Sequence, residues 1–175
     1  MTMPTPPSTP VFPAGYSPVP SDFDGWVQND LGFLTGSVVF RGKQTVQQPI
    51  TPGGTFVVLS LDTVLEDPYS GWVPSLNRWE APFTGWYEVT VFASVATQAV
   101  ILQTAVDITN AIQYIGSGLT LNSSTLGGGC TSVLVPMIGG TDYIQAQAET
   151  SAAADTDVSS QGRQPSMEIT FVSQG

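Results

Sequence analysis

The chain has no histidine and a single cysteine, Cys130, among its 175 residues. Those two facts remove most catalytic machinery. A Ser-His-Asp or Cys-His arrangement needs an imidazole to take the nucleophile's proton, and His-containing zinc sites fall with it. One thiol cannot build a thiolate metal cluster, and it excludes an intrachain disulfide. No glycine-rich loop opens a helix that carries a lysine, so there is no phosphate-binding loop. Carboxylates remain. A pair of them can run acid–base chemistry, as in glycoside hydrolysis, and the candidates are Asp62, Glu66, Asp67, Glu80 and Glu88. Glu88 alternates with apolar residues, which turns it toward solvent or a partner. Glu66 and Asp67 precede Pro68, where turn geometry already favours acids. Calcium takes loop carboxylates, and Asp62, Glu66, Asp67 and Asn77 are the candidates for it, at a spacing that fits no standard calcium loop. The residue types therefore predict a protein that is not an enzyme and needs no cofactor.

Aromatic side chains supply the other recognisable chemistry. Trp72, Trp79 and Trp86, with Tyr69 and Phe83, crowd one stretch, and Phe92 alternates in step with Trp86. Such a cluster can stack on sugar rings, or it can pack a core and a subunit interface, where aromatics are enriched. Cys130 follows Gly127, Gly128 and Gly129, read as a flexible turn, and opens an apolar run; it is expected to be a buried structural thiol.

Charge narrows the partners. The chain has 14 acidic residues against 4 basic ones, Arg41, Lys43, Arg78 and Arg163. Neutralising phosphates takes clustered cations, so no nucleic-acid partner is expected, and an acidic protein is not drawn to anionic membranes. Charged residues make up only 10% of the chain, against about a quarter in ordinary domains. A surface so poor in charge favours assembly, which hides part of it. The N-terminus lacks the charged and apolar regions of a signal peptide, and no apolar run reaches spanning length; a protein made in the cytoplasm and remaining soluble is expected.

The elements that would position these residues begin after an unusual arm. Residues 1–20 contain seven prolines. Proline lacks the N–H and restricts its predecessor, so this segment is expected to be extended and polyproline-like, with Val11, Phe12, Tyr16 and Val19 as apolar teeth. Residues 21–36 read as a short helix or compact turn, capped by Ser21 or Asp22 and striped by Phe23, Trp26, Val27, Leu31 and Leu34. Two units follow: an anchoring arm over 1–36 and a body over 37–175.

The body reads as strand after strand: 37–40, 43–48, 55–65, 77–83, 85–95, 99–108, 111–115, 130–137, 142–150 and 166–173, with turns and loops between. Over 85–95 the alternation is clean, Tyr87, Val89, Val91, Ala93 and Val95 on one face and Trp86, Glu88, Thr90, Phe92 and Ser94 on the other. Short strands at regular spacing predict an all-β sandwich or jelly roll.

The stretch FVVLSLDTVLEDPYSGWVPSLNRWEAPFTGWYEVTVFASV, from Phe56 to Val95, resembles the first half of the TNF-like jelly roll, the fold of the complement globular head and of many phage decoration and fibre domains. The resemblance rests on an A-P-x-x-G-x-Y-x-V block, here Ala81, Pro82, Gly85, Tyr87 and Val89. GGTDYIQAQAE and MEITFVSQ resemble later strands of that family, the last sitting centrally in the inner sheet. The arm followed by NDLGFL at 29–34 resembles small structural proteins of tailed phages. What the resemblance implies is a non-enzymatic homotrimer of a phage particle: a capsid decoration or minor capsid protein whose arm meets the major capsid protein or other virion proteins through Phe12, Tyr16, Phe23 and Trp26. Trp72, Trp79, Trp86 and Phe92 would then serve the trimer contact or a ligand. The alternative it implies is a tail or tail-fibre module that binds host surface carbohydrate; a cellular glycan-binding jelly roll is the third reading.

Overall fold

The computed structural model describes residues 38–52, 55–96, 102–109, 112–117, 127–159 and 164–174. The arm, its helical element and the four anchor aromatics expected there lie outside the described residues.

Two antiparallel sheets face each other. The first runs β10 (Gly127–Met137), β7 (Gly85–Val95), β13 (Ser166–Ser173), β1 (Val38–Lys43) and β4 (Thr63–Glu66). The second runs β5 (Trp72–Val73), β6 (Arg78–Glu80), β11 (Tyr143–Thr150), β8 (Leu102–Ile108) and β9 (Ile112–Ser117), with β3 (Val57–Val58) also on β11. A short ribbon pairs β2 (Pro49–Ile50) with β12 (Ala154–Asp155).

β7 organises the first sheet. It pairs along its whole length with β10 and on its other side with β13. Its alternation buries Tyr87, Val89, Val91, Ala93 and Val95 at 0–1% exposure, as the period of two demands. β13, as expected, sits in the middle of the sheet and adds Met167, Ile169 and Phe171 to the core; from the second sheet come Trp79, Leu102, Val106, Ile144, Ala146 and Ala148.

Three expectations fail, each for a physical reason. The run at 55–65 is not one strand. Val57–Val58 pairs in the second sheet and Thr63–Glu66 in the first, so the chain crosses the sandwich between them and buries Leu59 and Leu61 in the gap. The expected strand at 43–48 is a loop past Lys43. Asp62, at the end of the crossing, accepts the Thr45 and Val46 N–H groups and the Thr45 and Thr63 hydroxyls. These bonds hold its carboxyl below the usual range, against the opposing effect of burial. The Gln48 side chain donates to the Val58 carbonyl and accepts from Ser60 N–H, both at 2.9 Å, standing in for a strand's backbone.

Third, Gly127–Gly129 is not a turn but the start of β10, opposite Val95, Ser94 and Ala93. That shift reverses the expectation for Cys130. In strand register Gly129 and Thr131 point inward, and Cys130 points out and is exposed. A Cβ on Gly128 would meet the Phe92 ring at 2.9 Å; its absence lets that ring lie across the edge strand.

Tyr87 of the A-P-x-x-G-x-Y-x-V block is held by a hydrogen bond and by ring contacts. The Tyr87 hydroxyl donates to the Phe83 carbonyl at 2.6 Å, and the ring meets Trp79 and Phe171 edge to face. Burial pushes its pKa up to about 12. The sign follows: an unfolded tyrosine ionises near pH 10, so the folded state holds the extra proton between there and about 12, and stability is lost as pH rises through that window. Tyr87→Phe should cost about 1–2 kcal/mol at neutral pH, because the buried Phe83 carbonyl loses its donor, and it should also soften the alkaline loss. Urea titrations of both proteins at pH 7 and pH 11 check this; equal slopes of stability against pH would sink it.

Candidate functional site

The face of the first sheet turned away from the core carries the features that sequence reasoning reached for. Register sets them in rows. Trp86 lies opposite Pro136; Glu88 lies between Leu134 and Thr170; Thr90 between Ser132 and Glu168; Phe92 between Cys130 and Ser166. Arg41 and Lys43 of β1 pair with Glu168 and Ser166. Trp86, Leu134 and Val172 expose 39%, 51% and 39% of their surface. These three large apolar side chains share one sheet face.

The middle of the face is polar. Arg41 donates to Glu168 at 2.9 Å and to Glu66 at 3.1 Å. The hydrogen bond and charge of Glu168, then the charge of Glu66, raise the guanidinium's pKa. Thr90 donates to Ser132 at 3.0 Å and Ser132 in turn to Glu88 at 3.4 Å. Pro136 sits within β10, an edge strand, where a missing N–H costs no ladder bond.

At one end of the face Trp86 borders a dent of about 330 Å³ with Thr84, Gly85, Pro136, Met137, Ile138 and Asp142. Asp142 is already engaged: it accepts Ile138 N–H at 2.7 Å and the Thr109 hydroxyl at 3.2 Å, which holds the turn beside the dent.

The aromatic cluster divides. Trp79 is fully buried in the core. Trp72 is half-buried and stacks on Phe40 with centroids 5.0 Å apart, and Tyr69 meets Phe83 edge to face at 4.9 Å. Trp79 therefore fills the interior of one copy and is closed to a second chain or a ligand, and Trp72 packs against that core while keeping part of its surface exposed. Trp86 and Phe92 stand on the outer face. Leu134 and Val172, on the same face, were not singled out from sequence; their alternation with Val133, Val135 and Phe171 was the available signal.

The carboxylates do not converge. Glu66 binds Arg41, Glu80 holds Arg78, and Asp67 accepts the backbone N–H groups of Gly71 and Trp72. Asn77 takes a left-handed conformation, φ 46°, ending a 3-10 turn at Pro74–Leu76. Among the described residues no three acids, histidines or cysteines gather around a common point, and Asp62, Glu66 and Asp67 are not brought together. Of the two buried acids among the described residues, Asp107 and Asp157, Asp107 lies on the second sheet, in β8. Asp107 accepts from Gln147 at 3.0 Å, and burial raises its pKa.

The sandwich is a jelly roll of the TNF and complement 1q globular-head type. It superposes on the globular domain of zebrafish complement 1qA protein with a TM-score of 0.57 at 7% identity, covering 79% of this chain and 100% of that one. It superposes on Eiger TNF from S. frugiperda with a TM-score of 0.53 at 10% identity, over 79% and 92%. PRD1 vertex protein P5 gives a TM-score of 0.55 at 12% identity, over 80% and 99%. No protein-family model and no curated protein sequence matches the chain. The likeness is one of fold, and it agrees with the family resemblance read from the Ala81–Val89 block. No helix among the described residues is long and apolar enough to cross a membrane.

Proposed function

We propose that this protein is a structural virion protein of a tailed phage, a homotrimer that closes over the outer face of the five-stranded sheet and is anchored to the particle by residues 1–36, in the role of a capsid decoration or minor capsid protein. The observation that carries the reading is the exposure of Trp86, Leu134 and Val172 on one sheet face. Three such faces meeting on an axis would bury them, and closed cyclic symmetry satisfies every copy. The low charge of the chain, 10%, supports a surface partly hidden by assembly. The likeness to a vertex protein of the virus PRD1 supports a place on a particle. The arm cannot bury enough apolar surface to fold alone, and Phe12, Tyr16, Phe23 and Trp26 are the anchors that would bind it to a major capsid protein or another virion protein.

Light scattering on the full chain should report three copies at micromolar concentration, and Leu134→Asp should return a folded single copy. A wild-type chain that remains single removes the trimer. Deleting residues 1–20 should leave the oligomer intact and soluble but unable to join particles. Full occupancy of particles by the truncated protein would remove the anchoring role.

The dent beside Trp86 favours a second reading, a tail module that binds host surface carbohydrate, because an exposed indole next to polar groups suits a sugar ring. Saturation-transfer NMR with host surface glycans separates the two. Contact at Trp86 in the assembled protein favours the tail module; no transfer leaves the decoration role.

A further inference from the structure

The outer face of the first sheet carries five charges on its described strands: Glu88 on β7, Glu168 on β13, Arg41 and Lys43 on β1, and Glu66 on β4; β10 contributes none. Arg41 holds Glu66 and Glu168. That leaves one acid and one base. Among the described residues Glu88 has only the long 3.4 Å bond from Ser132. Lys43 has no ion pair or side-chain hydrogen bond among the described residues, whereas Arg78, on the second sheet, is matched by Glu80. In a chain with 14 acids and 4 bases, a cation left without a counterion is unusual.

The two cannot meet within one copy. Glu88 lies opposite Thr170 and Lys43 opposite Ser166 on β13. Four residues along a strand and two strand spacings put their backbones roughly 16 Å apart, beyond the joint reach of both side chains. Their surroundings differ in a complementary way. Glu88 stands beside the exposed Leu134. Lys43 lines a shallow dent of about 240 Å³ with Arg41, Leu65, Gln164, Ser166 and Glu168, in which Leu65 is 53% exposed. One half of the face therefore presents an acid beside an apolar side chain. The other half presents a base in a hollow with an apolar wall.

We infer that the occupant of the Lys43 dent is a second copy of this chain, and that Glu88 of one copy pairs with Lys43 of the next across the assembly face. The inference rests on the trimer reading above and deepens it. The β10–β7 half of one face packs on the β1–β4 half of its neighbour, with Leu134 meeting Leu65 and the acid meeting the base. Around a closed ring every Glu88 and every Lys43 finds a partner. The pair adds direction to an apolar contact that has little of its own, and it penalises any docking that sets Glu88 against the neighbour's Glu66 and Glu168, since like charges brought together at an interface oppose binding.

The test is charge reversal in the full chain, read by sedimentation equilibrium at several concentrations. Lys43→Glu and Glu88→Lys should each weaken assembly at least about tenfold, and the double variant should return to within a few-fold of wild type. Lys43→Gln and Glu88→Gln guard against misfolding. They should fold with wild-type melting profiles as single copies, weaken assembly less than the reversals, and lose much of its salt dependence. A wild-type chain that stays single overturns both the trimer and the pair. A wild-type trimer indifferent to the reversals, or one weakened by both and not rescued by the double variant, overturns the pair alone.

Discussion

Val89→Asp should destabilise the protein by on the order of 3 kcal/mol or more, a large share of the stability of an ordinary domain. Val89 is at 0% exposure in the middle of β7, opposite Val133 on one side and Ile169 on the other. Its inward neighbours along the strand are Tyr87 and Val91, so a carboxylate there meets hydrocarbon and no described cation. It must either ionise in an apolar interior or stay protonated, and both options cost. Denaturant titration at pH 7 and pH 4 checks this. The deficit should shrink at the lower pH, because an aspartate forced to remain neutral in the fold penalises folding only above its unfolded pKa. A loss below about 1 kcal/mol at pH 7 would mean that the site can open to water, against the complete burial of Val89.

The second large effect is expected at Gly85. The residue is the first of β7 and lies opposite Met137. Its requirement is space. A Cβ would run into the Ser173 carbonyl oxygen and would meet the Phe171 ring at 2.7 Å. The ring is fixed between Tyr87 and Phe83, and the carbonyl is backbone, so neither yields cheaply. Gly85→Ala should cost on the order of 2 kcal/mol and Gly85→Val more, both in the range of overpacked cores. Gly140 is the control. It has φ +73° and nothing near its missing Cβ, so Gly140→Ala should cost only the backbone strain of about 1 kcal/mol. Calorimetric melts of the three variants rank them, and a Gly140 variant less stable than the Gly85 variants would overturn the packing argument.

The function proposed here ties these positions together. Tyr87, Val89 and Gly85 build the inner side of the first sheet, and Trp86, Glu88 and Thr90 alternate with them on its outer side. One strand thus supplies both the core of a copy and its proposed contact. Mutations on the inner side should lower the melting temperature of every species. Those on the outer side should change stoichiometry while leaving the melt of the single copy alone.

Much of this was legible in the residues themselves. The strict alternation from Gly85 to Val95 predicted a strand buried on one face, because a period of two admits no other assignment of sides, and β7 has those bounds. The closing strand at 166–173 was found in full and in its central place. The Ala81–Val89 block carried the fold family, which the superpositions support. The absence of histidine and the single cysteine restrict the chemistry open to the chain. What the sequence could not decide were questions of which strand lies beside which. The run at 55–65 has one local pattern, yet its two halves belong to opposite sheets, because Leu59 and Leu61 gain more from the gap between the sheets than from continuing a ladder. Gly127–Gly129 resembles a turn in isolation and becomes strand only because β7 extends far enough to pair with it, and that pairing turns Cys130 outward. The tryptophans are equivalent as residue types; Trp79 goes inward and Trp86 outward because each sits at a different phase of a different strand. Local pattern sets which side chains share a face. Tertiary pairing sets what that face meets, because the partner strand comes from far along the chain and leaves no trace in the neighbouring residues.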